Sequence, residues 1–175
     1  MRHESRGGIG NFDIIHHVRT VYIGTTIPSF YFDERRTPEA IAWQHITRLW
    51  WDRFRREYRL VTSSFVIDEL EEAPRPKRDL ALALMATIDT LALPAGLENV
   101  IAAYIDHRLV PHDAAGDAVH LAMASMHGID FLLTWNIRHL ANANKFRHLG
   151  IVNGRLGLSV PTITTPLNLI PEDAP

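Results

Sequence analysis

Residues 113–134 read DAAGDAVHLAMASMHGIDFLLT, and their pattern decides the fold class. Asp113 is suited to cap a helix, the alanine-rich run up to Met126 to continue one, and Gly128 to end it. Residues 131–134 then read as an apolar strand buried on both faces. Working outward, the same alternation recurs. Residues 21–25 read as a first buried strand running toward a stop at Pro28, and residues 59–62, 90–93 and 162–165 as further strands. Thr37 followed by Pro38 marks a helix start, continued by Ile41, Ile46, Leu49, Trp50 and Phe54. Ser63 or Ser64 caps a helix lasting until Pro74, residues 77–88 and 97–108 carry two more, and a last helix lies near Asn144. Strands alternating with helices in this way predict an α/β chain in three layers, α/β/α, around a central, mainly parallel twisted sheet. Residues 1–18, punctuated by Gly7, Gly8, Gly10 and Asn11, read as an irregular N-terminal extension, and residues 19–175 as a single domain.

The 175 residues suffice for one substantial core. Cysteine is absent, which excludes a disulfide framework and a thiolate zinc site and makes a reducing cytoplasm the expected compartment. The ten histidines form no helical pair beside a glutamate of the kind that binds zinc. No apolar run approaches the roughly 20 residues a membrane helix needs, and the charged N-terminus lacks the apolar centre of a signal peptide, so no membrane partner is expected. With a formal charge of −2, nucleic-acid binding would require a local basic patch. Residues 48–59 supply one, with Arg48, Arg53, Arg55, Arg56 and Arg59 interleaved with Trp50, Trp51, Phe54 and Tyr58. The same residues suit an amphipathic helix with aromatics in the core and arginines in water, and the two readings are compatible. Arg138, His139, Lys145, Arg147 and His148 make a second basic cluster, able to hold an RNA backbone or an acidic protein tail.

In an open parallel sheet, ligands bind beyond the carboxyl ends of the strands. Gly24, Thr25 and Thr26 follow the first strand, and Thr134, Trp135 and Asn136 follow the fourth; Asp113 and Asp117 start the helix that feeds the fourth strand. Glu69 reaches the same rim if its helix face turns inward. Each has an ordinary structural role open to it. Asp117 favours a helix dipole, Asp113 an N-cap, Asn136 a turn, and Glu69 sits among Asp68, Glu71 and Glu72 as on a solvated face. His120, three residues after Asp117, lies on the same side of the helix, where it can orient a carboxylate or fill the core edge.

The segments 21–31 (VYIGTTIPSFY), 62–70 (TSSFVIDEL), 116–122 (GDAVHLA) and 133–142 (LTWNIRHLAN) occur in an order that resembles the PIN-domain nucleases, in particular the VapC-type toxins of bacterial toxin–antitoxin pairs. The resemblance covers about residues 21–169. It implies a PIN-like domain that hydrolyses RNA phosphodiesters with Mg2+ or Mn2+ held by an acidic cluster. Carried onto this chain, the metal positions are Gly24, Glu69, Asp117 and Asn136, with Asp113 a further candidate ligand, and the catalytic set is Glu69, Asp117 and Asn136. Thr25, Thr134 and Arg138 become the expected substrate contacts, an antitoxin protein a possible partner, and a homodimer the expected assembly.

Hard divalent ions take oxygen ligands, so clustered carboxylates suit them. Gly24 departs from the family pattern, which has an acid at that position. Two carboxylates, Glu69 and Asp117, can still hold one magnesium ion that keeps several waters and borrows phosphate oxygens, and Asp33 or Asp113 can stand in for the missing acid. The expectation is therefore a metal-dependent ribonuclease impaired at Gly24, or else a catalytically inactive PIN domain that binds RNA or a protein partner. A small-molecule-binding domain is a weaker third reading, since no glycine-rich phosphate loop follows the first strand.

Overall fold

The structure is a computed structural model, and it describes residues 18–111, 115–138, 140, 143–172 and 174. Five strands form one all-parallel sheet: β1 (Thr20–Ile23), β2 (Arg59–Thr62), β3 (Asp89–Thr90), β4 (Phe131–Leu133) and β5 (Thr162–Thr164), in the order β3-β2-β1-β4-β5. The helices α1 (Thr26–Tyr31), α2 (Pro38–Leu49), α3 (Ser64–Glu71), α4 (Lys77–Met85), α5 (Leu97–Asp106), α6 (Ala115–Met126) and α7 (Ala143–Leu156) complete a three-layer α/β/α fold.

Val21, Tyr22, Ile23, Leu132 and Leu133 are fully buried. Central strands covered on both sides must be apolar throughout, which is why β1 and β4 carry continuous runs and not an alternation. In register, Val21 pairs with Phe131 and Ile23 with Leu133. From β1 the chain builds outward through β2 and β3, then returns to set β4 on the other side of β1. β1 and β4 therefore flank a topological switch point, where loops leaving the two carboxyl ends diverge and open a crevice.

Several boundaries differ from the sequence reading for identifiable reasons. β1 ends at Ile23 and not at residue 25, and Pro28 does not stop it. Thr25 is the N-cap of α1, and Pro28 sits in the first turn of that helix, where its missing N–H has no helical acceptor to lose. α2 starts as the Thr37–Pro38 pair predicts, with the Thr37 hydroxyl accepting from the Ala40 amide at 3.3 Å. It does not continue as α-helix through Phe54: Trp50–Phe54 is a π turn and Arg55–Glu57 a 3-10 turn. Successive α-helical side chains diverge by about 100°, yet Trp50 and Trp51 are only 0 % and 2 % exposed. The wider π turn lets both indoles enter the core, edge to face at 6.3 Å.

α4 closes at Met85, before residue 88, through tight bonds from the Ala86 and Ile88 amides to the carbonyls of Ala83 and Met85. β3 is only Asp89–Thr90 because β2 ends at Thr62, whose carbonyl takes the Leu91 amide at 2.8 Å. The chain beyond has no strand left to pair with. Gly128, at φ +63°, ends α6 as its sequence position predicts. Asp113, His139 and residues 1–17 lie outside the described residues. Among the described residues, no helix is long and apolar enough to cross a membrane.

Candidate functional site

The crevice between β1 and β4 is a cleft of about 210 Å³ lined by Gly24, Thr25, Thr26, Glu69, Gly116, Asp117, His120, Leu132, Thr134, Asn136 and Leu140. Backbone pairing sets its walls. The Gly24 amide donates to the Leu133 carbonyl at 3.1 Å and the Thr134 amide to the Thr164 carbonyl at 2.9 Å, so both residues continue the sheet by one step before the chains part. The Thr26 hydroxyl then accepts from the Trp135 amide at 2.9 Å and lies 3.2 Å from the Thr134 hydroxyl. The Thr134 hydroxyl also takes the Asn136 amide at 3.0 Å. These bonds hold the turn after β4 so that Asn136 faces the start of α6. Its side-chain amide donates to both Asp117 oxygens, at 2.8 and 2.7 Å.

On the opposite side, α3 does turn a face inward and delivers Glu69. Glu69 Oε2 accepts from the Thr25 hydroxyl and from His120 Nε2, the latter at 3.3 Å. His120 Nδ1 lies 2.9 Å from the Tyr22 hydroxyl, which is 2.6 Å from the Ser63 hydroxyl. A carboxylate only accepts, so Nε2 carries the proton and Nδ1 accepts from Tyr22, which in turn accepts from Ser63. The buried hydroxyls and imidazole thus form one directed chain ending on Glu69. Burial, with the charge of Glu69 adding to it, pushes the Tyr22 phenol well above its ordinary range, so it stays a donor. Burial also pushes Glu69 up, but the hydrogen bonds it accepts from His120 and the Thr25 hydroxyl help to offset this, and the carboxyl lies below its usual value.

Gly116 has a steric reason to be glycine. A Cβ there would stand 2.9 Å from Glu69 Oε1, so the bare backbone of α6 is what allows the carboxylate to lie against it.

Tyr22→Phe is expected to remove two buried hydrogen bonds and strand the Ser63 hydroxyl and His120 Nδ1, at a cost of about 1–3 kcal/mol. Urea unfolding measures this, and an unshifted midpoint would contradict the network.

Of the residues singled out from the sequence, Gly24, Thr25, Glu69, Asp117, Thr134 and Asn136 line the one cleft. Arg138 is exposed and does not line it. Arg138 lies in the turn that follows, where the Leu140 amide donates to the Asn136 carbonyl at 3.0 Å. Asp33 does not stand in for a missing acid either: it is absent from the cleft lining, and its side chain, 3 % exposed, is gripped by Arg35 at 2.6 Å. The Arg35 hydrogen bonds hold its carboxyl below the ordinary value despite burial. Tyr22, Ser63 and Gly116 were missed as site residues. Tyr22 reads as strand core, and Ser63 as a cap, although its side chain makes no cap bond. Comparison with protein-family models and with curated proteins returns no match for this chain, so its functional reading rests on the cleft and on the residues that build it.

Proposed function

We propose that this chain is a Mg2+- or Mn2+-dependent ribonuclease of the PIN, toxin-like type, with one metal-binding carboxylate missing at Gly24. The observation that carries this reading is convergence. Four positions far apart in sequence, Gly24, Glu69, Asp117 and Asn136, line a single cleft at the switch point of a parallel sheet, and they are the four that the resemblance names.

The donor chemistry fits such an ion. Two carboxylates, a side-chain amide and the hydroxyls of Thr25 and Thr134 are all hard oxygen donors. Among the described residues no three His, Asp or Glu side chains group closely enough to hold a metal, so the protein's contribution would be the two acids, with water and substrate phosphate supplying the rest. When bound, the ion would lower the pKa of a coordinated water and offset the charge building on the phosphate.

The remaining chemistry belongs to the side chains. Thr25 and His120 hydrogen-bond Glu69 Oε2 and hold that carboxylate in the cleft, where it would be one of the two acids holding the ion. Asn136 spans both Asp117 oxygens and fixes the plane of that carboxylate. Glu69, kept ionised, is the group able to accept a proton from the attacking water. The test is cleavage of single-stranded RNA with Mn2+ and with EDTA. Cleavage that requires the metal supports the reading, and cleavage unaffected by EDTA contradicts it.

One observation favours the second reading, a non-catalytic PIN domain that binds RNA or a protein partner. Asn136 donates to both Asp117 oxygens, so each oxygen of that carboxylate already has a protein partner.

A further inference from the structure

We infer that a second anion site, on the edge of the sheet opposite the cleft, binds the phosphate backbone of single-stranded RNA; the inference rests on RNA being the ligand of the cleft. Arg55, Arg56, Tyr58 and Arg59 line a pocket of about 320 Å³ together with Asp89 and Thr87. Arg59 and Asp89 are the first residues of β2 and β3, so this pocket sits at the amino ends of the strands, whereas the cleft lies at the carboxyl ends. Arg19 joins the same edge, since its carbonyl accepts from the Arg59 amide at 2.9 Å.

The lining charge here is net positive, three arginines against the Asp89 carboxylate. Among the described residues, none of Arg19, Arg55, Arg56 and Arg59 takes part in an ion pair. Of the nearby acids, Asp130 is committed to the Thr20 amide and hydroxyl at 2.7 and 2.8 Å, and Asp52 accepts from Tyr31 at 3.0 Å. Asp89 lines the pocket and Glu57 is exposed beside it, so three arginines face one lining carboxylate. Two of the guanidinium groups at this edge are braced by aromatic rings: Arg55 lies 5.0 Å from the Trp51 ring and Arg19 5.6 Å from that of Phe131.

The distorted turn explains the arrangement. The π and 3-10 turns end the α2 segment at Glu57 and feed the chain into β2 at Arg59, which gathers the arginines around Tyr58. Guanidinium forks match phosphate oxygens, and Tyr58, partly buried against Trp50 and Phe131, lines the pocket beside them, where its remaining exposed ring can meet an unstacked base. An acidic peptide would use the charge but not the ring. The four residues of β2 span roughly 13 Å, which sets the least separation of the two sites; an RNA that joins them runs around the helices covering the sheet and must be longer than that.

The test is fluorescence anisotropy in EDTA, where cleavage is off, with single-stranded RNAs of about 4 to about 16 nucleotides across a salt series. In wild type, affinity should rise steeply once the RNA is long enough to span the sheet. Arg55→Ala/Arg56→Ala/Arg59→Ala should weaken the longest RNA at least tenfold and flatten the log–log salt slope by about 2, as expected for three lost phosphate contacts. The shortest RNA should bind unchanged. Because Arg55 packs on Trp51, Arg56→Glu/Arg59→Glu serves as a second variant at exposed positions, with the same expected loss. The inference is overturned if a folded variant keeps wild-type affinity and slope, or if the pocket variants lose binding only to a polyglutamate peptide. Mn2+-dependent cleavage of the shortest RNA, assayed separately, reports on the cleft alone, so the two ideas can fail independently.

Discussion

Gly24→Asp is expected to raise Mn2+-supported RNA cleavage by at least about tenfold, equivalent to about 1.4 kcal/mol off the barrier. The geometry at Gly24 explains why. A Cβ built there lies 3.8 Å from Thr134 Cβ and 3.9 Å from its hydroxyl, so the new side chain would enter the cleft on the β4 wall, where Thr134 and Asn136 stand. The tightest contact is the Leu133 carbonyl at 3.2 Å, the same group that accepts from the Gly24 amide. A shift of a few tenths of an ångström relieves it, at about 1 kcal/mol of stability. A third carboxylate among Glu69 and Asp117 adds like-charge repulsion that a divalent ion removes. The variant should therefore melt below wild type in EDTA and recover on adding Mn2+, because an ion bound only to the folded state stabilises it. A folded variant with neither faster cleavage nor Mn2+-dependent recovery would sink the assignment of Gly24 as a vacant ligand position.

Asp117→Asn should have the opposite and larger effect, a fall in cleavage on the order of 100-fold or more, since even residues that merely orient metal ligands cost about 10–100-fold when replaced. Its structural cost should be small. Asparagine keeps the shape, the amides at 117 and 136 can pair by rotation, and the helix-dipole contribution lost from the first turn of α6 is roughly 0.3–1 kcal/mol. That disparity separates the chemical role of Asp117 from its role as a first-turn acid: loss of activity with an almost unmoved unfolding midpoint supports the former. Parallel losses in both, or activity retained, would support the latter.

How much of this could be read from the sequence depended on whether local chemistry or tertiary packing decides each element. The helix–glycine–strand unit over residues 115–134 was legible because Gly128 and the apolar run at Phe131, Leu132 and Leu133 each favour one local solution. The Thr37–Pro38 start was legible for the same reason. The π turn was not: nothing local announces it, and only the shared core, which takes Trp50 and Trp51 together, requires it. Pro28 misled because proline stops a strand but is tolerated in a first turn, and the sequence does not say which side of that boundary it occupies.

The candidate site divides in the same way. Residues immediately beyond β1 and β4 followed from topology, and Gly24, Thr25, Thr134 and Asn136 do line the cleft. Glu69 could be matched only through resemblance, since its acidic neighbours give it the pattern of a solvated face. The chain from Ser63 through Tyr22 and His120 to Glu69 joins three separate elements, β1, α6 and the start of α3. No spacing rule within one helix or strand encodes it. Gly116 shows the limit most clearly, because its meaning lies wholly in the carboxylate packed against it.

We propose that Glu69 and Asp117 form a cation site weakened by the absence of an acid at position 24. The most direct measurement is Mn2+ titration, followed by electron paramagnetic resonance, of wild type, Gly24→Asp and Asp117→Asn under identical conditions. One weakly held Mn2+ per wild-type chain is expected, with tighter binding in Gly24→Asp and none at this site in Asp117→Asn. Equal binding by all three folded proteins, or none by either wild type or Gly24→Asp, would contradict it.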